Sequence, residues 1–148
     1  MKLELPDKLS SIDILALTIL GEARGEMVEG QIAVGCVIRN RLHTHPSKYK
    51  TYKDVCLESK QFSCWNENDP NRKFLLNIGE SMLNEEINDP LIRQAIWIAR
   101  GITDWYIIDN TKGSEFYMTR KLFDTSRPVW ARNSRNELDF GRHVFFNI

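Results

Sequence analysis

The pattern of apolar positions divides the chain into a helical front and a mixed rear. Around residues 10–20, Leu9, Ile12, Ala16, Ile19, Leu20 and Ala23 recur at helical spacing on one face. Ser10 or Ser11 is placed to cap this helix, with Asp13 in its first turn. A second helix is predicted over residues 29–42. Ile32, Ala33, Val34, Cys36, Val37 and Ile38 make it apolar nearly all round, which predicts a central, buried helix. Arg39 and Arg41 fall in its last turns, where cations suit the helix dipole, and the segment from His43 to Pro46 ends it. Residues 44–74 read as polar loop, with turn composition over 66–72. A short helix is expected over 75–83. Asp89 and Pro90 supply an N-cap and a first-turn proline for another. Its buried face is Leu91, Ala95, Ile98, Ala99 and Ile102, with Trp97 at the edge and Gly101 as its stop. After Tyr106 the short aromatic and β-branched runs at 115–119, 129–130 and 143–146 predict strands. The expectation is one α+β domain over residues 1–148, mainly helical with a small β element.

Composition narrows what such a domain does. At 148 residues the chain can bury a core without disulfides or metals. Lys+Arg and Asp+Glu are equal at 20 each, so duplex nucleic acid, which demands a basic surface, is not an expected partner. No apolar stretch is long enough to insert in a membrane, and the first eight residues lack an apolar signal core. Cys36, Cys56 and Cys64 lack CxxC spacing, so no zinc site is expected, although Cys56 and Cys64 could pair in an oxidising compartment. His43 and His45 are poorly spaced for a metal, and His143 lies in an apolar run. There is no phosphate-cradling loop or serine elbow. Neither a metal nor a cofactor is expected.

The junction between the first two helices carries the candidate chemistry. Glu22, Arg24, Glu26 and Glu29 are interleaved there with Gly21, Gly25 and Gly30. On its own, a glutamate beside an arginine at a helix end is compatible with a solvated surface pair. Glu22, however, follows directly on Ile19 and Leu20, and partial burial favours the protonated form of a carboxyl, as a general acid requires. A glycosidase usually adds a second carboxylate, about 5–5.5 Å away for retention or about 6.5–9.5 Å for inversion. Were residues 21–26 helical, Glu22 and Glu26 would share a face. Gln61, Phe62, Trp65, Tyr106, Tyr117, Trp130 and Phe145 form an aromatic and amide set suited to stacking and hydrogen bonding a sugar, although Phe62, Trp130 and Phe145, each taken alone, read better as core.

Several separated stretches resemble one family. The run from Gly21 through Glu22, Ala23, Arg24, Gly25 and Glu26, continuing through Glu29-Gly30-Gln31 and Ala33-Val34-Gly35 to Asn40-Arg41, resembles the signature of the spore cortex-lytic, cell-wall hydrolase family. Gln61-Phe62-Ser63-Cys64-Trp65 is similar to that family's Gln-Phe-Ser-Trp segment, with Cys64 inserted. Arg127-Pro128-Val129-Trp130 and Gly141-Arg142-His143-Val144-Phe145 are similar to its closing elements. Before them the family often has a His-Tyr segment; residues 113–118 keep Tyr117 but have no histidine.

The resemblance implies a lysozyme-like, lytic-transglycosylase-like fold, peptidoglycan as substrate, and one essential acid that matches Glu22. It implies cleavage between N-acetylmuramic acid and N-acetylglucosamine by lytic transglycosylation, with Glu26 as second candidate acid or base. Arg24 is expected to orient either acid. Gln61, Phe62, Ser63, Trp65, Tyr117 and Trp130 are expected to contact sugar. The expected setting is a monomeric phage endolysin, made in the host cytoplasm without a signal peptide and released to the wall through a holin-type membrane hole. The rivals are a muramidase using a second carboxylate and water, a peptidase acting on the stem peptide, and a non-catalytic glycan-binding module.

Overall fold

The computed structural model describes residues 5–148; the first four residues of the stretch expected to lack a signal core lie outside the described residues. A short turn α1 (Leu5–Lys8) precedes α2 (Ser11–Ala23), which is capped as expected, with the Asp13 amide donating to Ser10 Oγ at 3.1 Å. The expected one-sided apolar face understates α2. Every residue from Ile14 to Leu20 is buried, because α3 (Val28–Thr44), α4 (Tyr52–Cys56), α5 (Pro70–Leu83) and α6 (Pro90–Thr103) all pack on it. A helix buried on all sides must also satisfy its polar residue. Thr18 donates to the Ile14 carbonyl at 2.7 Å and accepts from Trp65 Nε1 at 2.9 Å.

The region expected to be loop holds more structure. Thr51 and Asp54 close a capping box that starts α4. Ser63–Trp65 forms a 3-10 turn, and α5 starts at Pro70 rather than near residue 75, with Asp69 as its N-cap. Gly101 does not end α6. It sits inside the helix against Ile107, where a Cβ would lie 2.6 Å from that side chain. Arg39, expected to serve the helix dipole, is 1% exposed. It donates to the Ile102 carbonyl at 3.1 Å and lies over the Trp105 ring.

The rear of the chain forms an antiparallel sheet in the order β1-β3-β2, with β1 at Phe116–Thr119, β2 at Arg135–Phe140 and β3 at His143–Asn147. The short helix α7 (Arg120–Thr125) follows β1 directly, and residues 129–130, expected as strand, lie in a 3-10 turn. Strand alternation sorts the sheet into two faces. Phe116, Met118, Val144 and Phe146 gather with Phe123 and Ala131 into a small cluster. Tyr117, His143 and Phe145 occupy the opposite face, and Phe145 joins the helical core.

Two half-buried polar anchors on α3 set where β1 begins. Asn40 Nδ2 donates to Asp109 Oδ2 at 3.1 Å and to the Ser114 carbonyl at 2.9 Å, and Arg41 Nε donates to the Glu115 carbonyl at 2.7 Å. Asp109 also accepts from the Thr111 and Gly113 amides, at 2.7 and 2.8 Å. Burial pushes its carboxyl up, but these hydrogen bonds outweigh burial and leave it below the usual carboxylate range. Its contribution to stability is therefore present above the unfolded-state value and is lost as pH falls through the lower folded-state value. Asp109→Asn is expected to be less stable than the parent at neutral pH, with the gap narrowing below about pH 4 in urea melts run across pH.

Gly21 is a second constraint. A Cβ there would lie 2.7 Å from both Cys64 Cβ and Sγ, so α2 and the 3-10 turn can meet only over a bare backbone. Gly21→Ala is expected to cost about 1–3 kcal/mol by overpacking, read as a lowered Tm.

Candidate active site

Glu22 occupies the last turn of α2, where the helix leaves the core and the side chain becomes only partly buried. Its Oε1 accepts a hydrogen bond of 2.7 Å from the Tyr117 hydroxyl, which β1 supplies from the sheet. Burial first, and then the Glu22 carboxylate, push the Tyr117 phenol well above its ordinary range, so it stays protonated and keeps donating. The buried Cys64 thiol is likewise raised by burial and then by Glu22. The thiol therefore stays protonated and is inert as a nucleophile. Cys36 and Cys56 are also buried and free, pushed up by burial to about 11 and about 12. The disulfide considered for Cys56 and Cys64 is absent.

Glu22 opens on a cleft of about 540 Å³ lined also by Thr119, Arg120, Lys121, Arg142 and His143. Tyr117 connects this acid to the second. Its ring meets His143 edge-on at 5.5 Å and stacks on Phe145 at 5.2 Å. His143 Nδ1 lies 3.2 Å from Glu26 Oε1, which also receives Arg142 Nε at 3.4 Å. The β2–β3 turn encloses the Glu26 carboxylate. Gly141 has φ +57°, and a Cβ there would overlap Glu26 Oε2. Glu26 does not share a helix face with Glu22, because α2 stops at Ala23 with Arg24 as its C-cap. Its side chain is 7% exposed and is committed to the hairpin, which suits a residue that positions the sheet.

The other expected site residues scatter. Arg24 orients neither acid. It donates to Asn71 Oδ1 at 2.7 Å and lies over the Phe74 ring, tying α2 to α5. Phe62 and Trp65 are buried core residues on the wall of a separate cleft of about 640 Å³, and Ser63 is exposed beside them. Gln61 is exposed, accepts from Arg41 Nη1 at 3.2 Å and lines a third pocket of about 210 Å³. Trp130 is half exposed, stacks on Phe146 and lies tilted against Phe116, on the sheet face opposite Tyr117. Of the set, the structure brings Glu22 and Tyr117 into contact and joins Glu26 to them through His143. The sequence places that histidine in an apolar run and in the closing Gly-x-His-x-Phe element, without a site role. Its period-two spacing from Phe145 was the available signal that it shares a face with the aromatic site residues.

A mainly helical, lysozyme-like domain with a carboxyl at the lip of a cleft is the class that fold and site define. The chain matches the Cell Wall Hydrolase family over residues 25–146 and belongs to it; the matched span begins just after Glu22. It is 29% identical over 138 residues to a spore cortex-lytic enzyme of Oceanobacillus iheyensis, covering 92% of this chain and 41% of that protein, so the chain spans about two fifths of that relative's length. Its fold is that of the catalytic domain of the germination-specific lytic transglycosylase SleB from Bacillus anthracis, with TM-score 0.58, 23% identity and 93% of each chain covered. The Bacillus cereus SleB catalytic domain is similar with TM-score 0.59 and 25% identity, over 93% of this chain and 89% of that one.

Removing the Tyr117 hydroxyl leaves the ring's stacking intact and deletes one hydrogen bond to a carboxyl. For the peptidoglycan cleavage proposed below, Tyr117→Phe is expected to lower kcat about ten- to hundredfold while Tm changes little, checked by turbidity clearing beside thermal melts.

Proposed function

We propose that this chain cleaves the peptidoglycan glycan strand between N-acetylmuramic acid and N-acetylglucosamine by lytic transglycosylation, with Glu22 as the single acid and base. The observation that carries this reading is the Tyr117–Glu22 hydrogen bond at the lip of the cleft: it fixes one carboxyl oxygen and leaves the other for substrate. In its acid form Glu22 gives its proton to the glycosidic oxygen as the bond from muramic C1 breaks, freeing the glucosamine 4-hydroxyl. The carboxylate then takes the proton of the same muramic residue's 6-hydroxyl. That oxygen closes on C1, leaving a 1,6-anhydro end, with no water consumed. Tyr117 holds the carboxyl in place through both transfers.

The commitment of Glu26 to His143 and Arg142 supports one acid over two. A hydrolytic muramidase would need a second carboxylate free to activate water. The fold shared with the Bacillus anthracis SleB catalytic domain, a lytic transglycosylase, is consistent with the same class of reaction. The endolysin setting and the monomeric state are part of this proposal and rest on the sequence reading alone.

Mass spectrometry of digested peptidoglycan, wild type beside Glu22→Gln, tests the reading. Wild type should release fragments lighter than the hydrolysed muropeptides by one water, and Glu22→Gln should release none while melting like the parent. Reducible, fully hydrated ends would overturn transglycosylation in favour of hydrolysis. Activity retained in Glu22→Gln would overturn the assignment of the acid.

A further inference from the structure

The cleft beside Glu22 carries positive charge for which the cleavage chemistry has no use. Its lining sets three permanent cations, Arg120, Lys121 and Arg142, against the one carboxylate of Glu22. The three are not equivalent. Arg120 is held by Asp139 at 2.6 Å and by Asp124 at 3.3 Å. Lys121 is exposed and, among the described residues, has no acid within ion-pair reach. The Arg142 side chain is 80% exposed and meets Glu26 through Nε alone, at 3.4 Å, so both Nη groups of its fork are without a protein partner among the described residues.

Lys121 and Arg142 belong to different segments, but one backbone bond joins those segments. The Arg120 amide donates to the Arg142 carbonyl at 2.8 Å, fixing the start of α7 to the β2–β3 turn. The turn itself is set by Gly141 and by Glu26 beneath it. An ammonium and a guanidinium fork are thus presented together on a rigid edge of the cleft, next to the acid. A guanidinium fork matches a carboxylate in two parallel hydrogen bonds, and a lysine adds a point charge.

We infer that Arg142 and Lys121 form an anion subsite that takes a carboxylate of the peptide stem, so that peptide-bearing strands are cleaved in preference to peptide-free ones. The inference rests on the glycan-cleavage reading above and adds a substrate class to it. The muramic residue whose C1 reacts is the sugar that bears the stem, through its lactyl group. A subsite beside Glu22 is therefore near the stem of the reacting residue. A muramic residue whose lactyl group is closed into a neutral lactam offers no such carboxylate and gains nothing from the two cations, whereas one merely hydrolysed free of its stem keeps a lactyl carboxylate.

The test compares two substrates, glycan strands with their stems intact and the same strands stripped of stems by an amidase and then methylamidated at the freed lactyl carboxyls, so that no anion remains on the muramic residues. Wild type should show a kcat/KM about tenfold higher on peptide-bearing strands, and the advantage should shrink as salt rises. Lys121→Glu and Arg142→Lys should each lose most of that advantage, with the loss falling on KM and a smaller loss on stripped strands. Arg142→Lys keeps a cation for Glu26, and thermal melts check that the hairpin stays docked. Equal rates on the two strands in wild type would overturn the subsite while leaving the cleavage reading standing. A preference that survives in the double variant would overturn it too. Failure of wild type to cut either strand would overturn the cleavage reading itself, and the subsite with it.

Discussion

One hydrogen bond joins the two halves of this molecule at the point where chemistry is placed. Glu22 belongs to the most deeply buried helix, and Tyr117 to a sheet built from the last third of the chain. The acid is where the helical core runs out. Its partner reaches it only if β1 begins at the right residue, and Asn40 and Arg41 on α3 see to that by holding the backbone ahead of the strand. A carboxyl at a helix end would otherwise sample many rotamers, and the acid role proposed for Glu22 needs it held near one working geometry. Here the sheet supplies the restraint that the helix cannot.

Glu26 performs the reciprocal task. Its chain position, in the connection between α2 and α3, suggests a second acid of the reaction. Its surroundings make it a clasp on the sheet instead. His143, Arg142 and the bare backbone of Gly141 close around the carboxylate, and His143 in turn meets the Tyr117 ring. A buried carboxyl is expensive to leave without its hydrogen-bond partners, so this contact resists being pulled apart. The two glutamates of one short motif thus divide the work: one faces the cleft, and the other keeps in register the strand pair that supports it.

The helical framework was legible because its signals are local. Capping residues, first-turn prolines and 3.6-residue periodicity located α2, α3 and α6, and their buried faces followed. The Asp69-Pro70 pair carried the same signal as Asp89-Pro90 but was absorbed into a run of turn-forming residues, so α5 was placed late. Strand β2 is a charged edge, Arg135 to Phe140, with little apolar alternation to read. Val129 and Trp130 look like strand by residue type, yet form a 3-10 turn that packs on the outer face of the sheet. Glu22 and Tyr117 were legible from motif and residue type. The pairing of Glu26 with His143 was not, because it spans more than a hundred residues and no periodicity reports a contact at that range. The aromatic set failed as a single groove for the same reason: side-chain chemistry says what could touch a sugar, whereas topology decides which surface each ring occupies.

The two faces of the sheet have a consequence for how this enzyme would fail. Its outer face closes over a cluster of five buried residues, whereas its inner face leans on the large helical core chiefly through Phe145. Regions with few buried contacts open at lower free energy than the whole molecule. Undocking the sheet would strip Tyr117 from Glu22 while α2, α3 and α6 remained packed. Thermal inactivation and melting would then be separate events. Loss of the proposed activity would report the detachment of one layer, at a temperature where most of the helical signal is still present.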